Sequence, residues 1–174
     1  MVIWITGISA SGKSTLGKYF FKKLKKQKKN TVFFDGDEFR KIFHDDIKYT
    51  LRDRDVNAIR LTSLVKYVSD QKVNLIVSAN ITSQRFRNWC RKNVKNYFEI
   101  FIDTPMEILR KRDYKKLYKK AFSKKIKNVV GVDIKFIKPK NPDLVIENIS
   151  TKQKLYSNYK KILKEIYIKK IKIY

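Results

Sequence analysis

The chain has 174 residues, enough for one domain with a sizeable core, and 42 Lys and Arg against 16 Asp and Glu give it a formal net charge of +26. Such a field attracts nucleic acid, acidic membranes or small polyanions such as nucleotides, but the basic residues run the whole length without clustering, so compositional bias with solvated lysines is the plainer account. One cysteine, Cys90, excludes an intrachain disulfide, and the lack of any run of about 18 apolar residues excludes a membrane-spanning helix.

The N-terminus enters directly into the apolar run "VIWIT" (2–6), with no charged leader before it. A cytoplasmic protein without membrane or nucleic-acid partners is expected. After the first strand comes "GISASGKST", the pattern G-x-x-x-x-G-K-[ST] of a phosphate-binding loop. Glycines let successive N–H groups turn inward around an anion, and the following helix adds the positive end of its dipole. The cradle comprises Gly7, Ser9, Ala10, Ser11, Gly12, Lys13, Ser14 and Thr15. Lys13 would reach the β- and γ-phosphates of ATP, and the Ser14 hydroxyl would complete the coordination of Mg²⁺.

A helix is expected over Leu16 to Lys29, then a strand "TVFFD" (31–35). Within "FFDGDEFR", Asp35 and Asp37 fall at the carboxyl end of that strand, where open α/β sheets bind ligands. A carboxylate there can order Mg²⁺-bound water or take a proton from an attacking hydroxyl, so Asp37 and Asp35 join Lys13 as catalytic candidates, with Ser14 and Asp37 as the metal pair. Arg40 and Arg54 can pair with the anionic end of an acceptor, and Asn57 offers both a donor and an acceptor. Taken singly, each could equally be a surface ion-pair partner.

Further on, Val56 to Gln71 reads as an amphipathic helix, "NLIVSAN" (74–80) as a strand and 83–96 as a basic helix. "YFEIFID" (97–103) is a strand, and Pro105 sits near the first turn of a helix over 105–112. The basic segment 112–128 lacks strand character and reads as a lid over a triphosphate or as an ordinary exposed helix. "DLVIEN" (143–148) closes the sheet, and Leu155, Tyr159, Ile162, Leu163 and Ile166 form one stripe of a helix over 151–171. Nearly continuous apolarity makes the strands buried on both faces. The expected fold is α/β: a single P-loop kinase-type domain over 1–174, a parallel sheet with helices on both faces and a basic lid.

"GISASGKST", "FDGDEFR", "DRDVNAIR", "IDTPMEILRKRDYKKLYKKA" and "IKNVVGVD…PKNPDLVI" together resemble the successive motifs of adenylyl-sulfate kinases, in order over about residues 2–147. The resemblance implies ATP-dependent phosphorylation of the 3′-hydroxyl of a nucleotide with a sulfate-like 5′ tail, Mg²⁺, a homodimer and a mobile lid. By the same resemblance Asp37 assists the hydroxyl. The acceptor is held by Arg40, Tyr49, Arg54, Asn57, Ile81, Thr82, Lys115 and Val129, with Lys119 and Lys120 in the lid.

Departures from the family pattern gather on the acceptor side. Glu38 stands for the usual Asn, Tyr49 and Val129 for two Phe residues that sandwich the base, and "ITSQR" for "ISPYR", so that Thr82 replaces a serine described as phosphorylated in the family. Losing one aromatic face costs base stacking on the order of 1–3 kcal/mol; Glu38 and Gln84 are candidates to read a smaller base instead. Relatives in the family act on cytidine 5′-diphosphoramidate in capsule phosphoramidate synthesis, and the departures lean toward that acceptor. The alternatives are adenylyl sulfate, converted to 3′-phosphoadenylyl sulfate, and, from another class, a basic nucleic-acid-binding NTPase.

Overall fold

The computed structural model describes residues 1–44 and 46–174. Five parallel strands, β1 (Val2–Thr6), β2 (Thr31–Asp35), β3 (Asn74–Ser78), β4 (Tyr97–Asp103) and β5 (Leu144–Glu147), form one sheet in the order β2-β3-β1-β4-β5. The sequence reading placed β1, β2 and β4 at these same bounds; β3 and β5 are shorter by two residues each.

The two-residue period of a strand sorts the apolar runs between two cores. Met1, Ile3 and Ile5, with Ile76, Phe98, Ile100 and Ile102, face one side. There they meet Leu16, Phe20 and Leu24 of α1 (Lys13–Gln27) and Leu155, Ile162 and Ile166 of α7 (Lys152–Ile168). Val2, Trp4, Leu75 and Val77 face the other side, against Leu61 and Val65 of α3 (Leu51–Asp70) and Cys90 of α4 (Gln84–Asn93). The Trp4 indole N–H donates to the Ala79 carbonyl at 3.0 Å, which satisfies the one polar atom of a fully buried ring. A third, smaller core of Ile8, Leu109, Tyr118, Ala121, Val129, Val130 and Ile134 lies under α5 (Met106–Lys111) and α6 (Leu117–Phe122).

Beneath α4 a charged network is buried. Glu99 of β4 meets Arg87 at 3.7 Å and Arg91 at 3.2 Å, and Arg91 continues to Asp143, which Lys169 also reaches at 2.7 Å. Burial raises the Glu99 carboxyl pKa, against the pull of the two arginines.

Helix boundaries differ from the sequence reading in informative ways. α1 starts at Lys13, not Leu16, because Gly12 (φ 101°) turns the loop straight into the helix. α3 starts at Leu51, five residues ahead of Val56, because Thr50 and Asp53 form a reciprocal capping box. That brings Arg54 and Asn57 into its first two turns. A short helix, α2 (Gly36–Lys41), follows β2, with the Asp35 side chain accepting from the Asp37 N–H. Only six residues of the segment 112–128 are helical, and Lys116 (φ 54°) and Lys124 (φ 57°) flank them in left-handed backbone.

Candidate active site

The loop between β1 and α1 takes its shape from backbone no side chain would tolerate. A Cβ on Gly7 would lie 2.7 Å from the Ile102 carbonyl oxygen, and one on Gly12 2.7 Å from the Asn148 amide nitrogen. Ala10 is left-handed at φ 61°. Three neighbours hold the loop from outside: Asn148 Nδ2 donates to the Ser11 carbonyl at 2.8 Å, Thr104 Oγ1 to the same carbonyl at 3.4 Å, and the Tyr118 hydroxyl to the Ser9 carbonyl at 2.8 Å. Asn148 directly follows the last strand and Tyr118 belongs to α6, so sheet and helix both grip the loop.

Lys13 Nζ folds back onto the Ile8 carbonyl at 2.9 Å. Burial lowers its pKa to about 8, which Asp37 and Asp35 oppose and Lys115 reinforces. Next to it, the Ser14 hydroxyl donates to Asp35 Oδ2 at 2.5 Å.

On the opposite wall, Arg40 is 6 % exposed and donates to the Lys48 carbonyl at 2.7 Å. Arg54 donates through Nε to the Tyr49 carbonyl at 3.0 Å and through Nη2 to the Asn128 carbonyl at 2.8 Å. Both guanidiniums lie over the Tyr49 ring, at 4.8 and 5.6 Å from its centroid. Among the described residues neither has a carboxylate within ion-pair distance. Burial first, then the charge of Arg40, lowers the pKa of Arg54. Cations left half-desolvated and unpaired form a site for an anion. The Asn57 Oδ1 and Asn80 Oδ1 atoms are buried without hydrogen-bond partners.

One cavity of about 880 Å³ joins the two walls, large enough for two nucleotides side by side on the usual scale of ligand pockets. Ser9, Ala10, Gly12, Lys13, Ser14, Thr15, Asp35, Asp37, Arg40, Tyr49, Arg54, Asn57, Lys115 and Val129 all line it; Gly7 and Ser11 support the loop from beneath. Lys115, just ahead of α6, reaches Asp37, Nζ to Oδ2 3.1 Å.

Six candidates from the sequence lie elsewhere. Ile81 is 2 % exposed within the second core, its carbonyl accepting from Arg87, and Thr82 is also buried; neither is part of the cavity wall. Lys119 and Lys120 are exposed, because α6 turns Tyr118 and Ala121 into the third core and its lysines outward. Gln84 bonds Asn88 at 2.9 Å, and Glu38 pairs with Lys41 at 3.1 Å, both away from the cavity. Val129 does line the cavity, yet it is 5 % exposed and packs into the third core. Of the two residues expected to hold a metal, Ser14 donates to Asp35 and Asp37 pairs with Lys115.

Lys48, Asn80, Arg112, Lys127, Asn128 and Asn148 line the cavity unforeseen. Asn148 directly follows β5 and Asn80 lies two residues past β3, and the rule that ligands gather at carboxyl ends of parallel strands could have found them. Arg112 donates to the carbonyls of Asn148 and Ser150 at 3.0 and 2.7 Å.

A phosphate loop at the carboxyl edge of a five-stranded parallel sheet, with carboxylates and unpaired arginines across one cavity, defines a nucleotide-dependent phosphotransferase. The family described as adenylylsulphate kinase matches residues 1–147, and the chain belongs to that family of kinases, which phosphorylate a hydroxyl group. It is 40 % identical over 165 residues to a cytidine diphosphoramidate kinase of Campylobacter jejuni, covering 95 % of each chain. An adenylyl-sulfate kinase of Buchnera aphidicola is 34 % identical over 169 residues, 96 % of this chain and 81 % of that one. The fold superposes at a TM-score of 0.84 on the Mycobacterium tuberculosis APS kinase solved in complex with AMPPNP and APS, at 29 % identity over 95 % of this chain and 96 % of that one.

Proposed function

We propose that the protein transfers the γ-phosphoryl group of ATP to the 3′-hydroxyl of cytidine 5′-diphosphoramidate, as one 1–174 kinase domain working in the cytoplasm as a homodimer. The observation that carries the acceptor is the make-up of the cavity wall: Tyr49 lines it, while Val129, where the family has a second Phe, is buried in the third core, so a base finds one aromatic side chain instead of two. The likeness to the Campylobacter enzyme supports the same acceptor. Adenylyl sulfate is the second reading, favoured by the intact Tyr49 platform and by the adenylyl-sulfate kinases at 34–35 % identity.

The donor triphosphate lies along the loop from Ser9 to Thr15, with Lys13 leaving the Ile8 carbonyl for the γ-phosphate. Ser14 Oγ and Asp35 Oδ2, neighbours through a hydrogen bond, are hard oxygens of the kind that would hold Mg²⁺ once that bond opens, the metal needing only one or two protein ligands beside phosphates and water. When bound it would neutralise charge between the β- and γ-phosphates. Arg40 and Arg54 hold the acceptor's anionic tail, and the unpartnered Asn57 Oδ1 receives one of its donors. Asp37 takes the proton of the 3′-hydroxyl as its oxygen bonds to the γ-phosphorus, the bond to the bridging oxygen breaks, and ADP leaves with the electron pair.

The test is kcat/KM for cytidine 5′-diphosphoramidate and adenylyl sulfate, measured side by side. A preference of at least about a decade for the cytidine compound is expected, the scale on which pocket contacts discriminate. A strong preference for adenylyl sulfate would overturn the first reading in favour of the second.

A further inference from the structure

We propose that Asp133, which lies outside the cavity wall, is a positioning residue that aims Arg54 at the acceptor; the proposal rests on the kinase reading above. Asp133 is exposed, and both its oxygens are engaged by backbone: Oδ1 accepts from the Val129 N–H at 2.6 Å and Oδ2 from the Asn128 N–H at 2.5 Å. The turn it closes is tight. The N–H groups of Val132, Asp133 and Ile134 all converge on the Val129 carbonyl at 3.1–3.2 Å, and that of Gly131 donates to the Ile134 carbonyl at 2.7 Å.

The clamp has a conformational consequence. Asn128 is left-handed at φ 66°, a conformation that Asn adopts more readily than most residues. Two hydrogen bonds to a charged acceptor hold it there. With Asn128 so turned, its carbonyl points to Arg54 and accepts Nη2 at 2.8 Å. Arg54 is thereby held at two points, by Asn128 and by the Tyr49 carbonyl, with its guanidinium over the Tyr49 ring. At its other end the turn packs with the donor side: Val129, Val130 and Ile134 share the third core with Ile8 of the phosphate loop.

The electrostatics agree. Although partial desolvation pushes the Asp133 pKa up, the N–H groups of Val129 and Asn128 and the Arg54 charge outweigh it and bring the pKa below the usual carboxylate value. Asp133 therefore serves as a charged brace between two backbone amides and, through one carbonyl, an arginine that has no carboxylate within ion-pair distance among the described residues.

Asp133→Asn keeps the shape but offers one acceptor oxygen to two donors. Steady-state kinetics with cytidine 5′-diphosphoramidate and adenylyl sulfate should show the acceptor KM raised about tenfold, with the KM for ATP within about twofold of wild type. Hydrogen exchange at the Asn128 and Val129 amides should accelerate. Asp133→Glu should recover part of the acceptor KM. In an Arg54→Lys background the same Asn substitution should add less than about twofold, since the two residues act through one bond. Equal rises in both KM values, or full additivity with Arg54→Lys, would mean a merely structural role and overturn the proposal. So would an unchanged acceptor KM with deprotected amides. A wild type inert toward both acceptors is a different failure: it sinks the kinase reading itself, and the assignment of Asp133 goes with it.

Discussion

The Lys13 ammonium is buried against the Ile8 carbonyl, and burial, only partly opposed by Asp37 and Asp35, lowers its pKa to about 8. A triphosphate placed on the loop would hold the charged form and return the pKa well above that value. Binding above pH 8 must therefore bring a proton with it. Over pH 7 to 9 the protonated fraction in the free protein falls from about 0.9 to about 0.1, so uptake on binding rises from about 0.1 to about 0.9 protons, and apparent affinity drops about tenfold, or about 1.4 kcal/mol. The groups around Lys13 do not obscure the effect. Lys115, its pKa raised by the hydrogen bond and charge of Asp37, stays protonated across this range, and a terminal phosphate with a pKa near 6 is almost fully ionised. Titration calorimetry with a non-hydrolysable ATP analogue, in buffers of different ionisation enthalpy, reads the uptake directly. Uptake below about 0.2 protons at pH 9, or an affinity flat with pH, would refute the argument that burial controls this lysine. Lys13→Met should abolish the uptake altogether.

Tyr118→Phe removes only the hydroxyl that donates to the Ser9 carbonyl and leaves the buried ring in place. A net loss of about 1 kcal/mol should lower Tm by about 2–4 °C in a chain of this size, and the KM for ATP should rise about fivefold as the loop loosens; a melting curve and KM within error of wild type would remove Tyr118 from the support of the loop. Asp37→Asn keeps the side chain's size and should lower kcat by about two to four decades with ATP binding retained. If the acceptor KM alone rises, Asp37 is a binding group and the base must be sought at Asp35.

What the sequence disclosed and what it hid follow one physical division. The donor loop is a local object: nine consecutive residues, Gly7 to Thr15, carry its backbone geometry, and strands such as "YFEIFID" announce themselves by apolar runs. The acceptor wall is assembled from Arg40, Lys48, Tyr49, Arg54 and Asn128, which meet only through tertiary packing. A family pattern indicated three of those five and said nothing about which neighbours face inward. Lys119 and Lys120 illustrate the limit. In a helix of six residues within a run of lysines, the inward face is chosen by Tyr118 and Ala121, and periodicity over so short a span does not register it. The early start of α3 was legible, since Thr50 and Asp53 spell a capping box. Ile81 was not, because its side chain completes the core and gives the cavity nothing.

Residues 115–127 include seven lysines, and the helix among them is flanked by left-handed Lys116 and Lys124. Tyr118 and Ala121 are its buried contacts with the body of the protein. Trypsin cuts after lysine only where the chain can be drawn out extended across several residues, so the docked helix and its two tight ends shield these bonds until the segment detaches. Where closing outpaces cutting, the nicking rate measures the detached population. The segment therefore carries its own clock: the rate at which it is cut, with and without nucleotide, counts how often Tyr118 and Ala121 leave the third core.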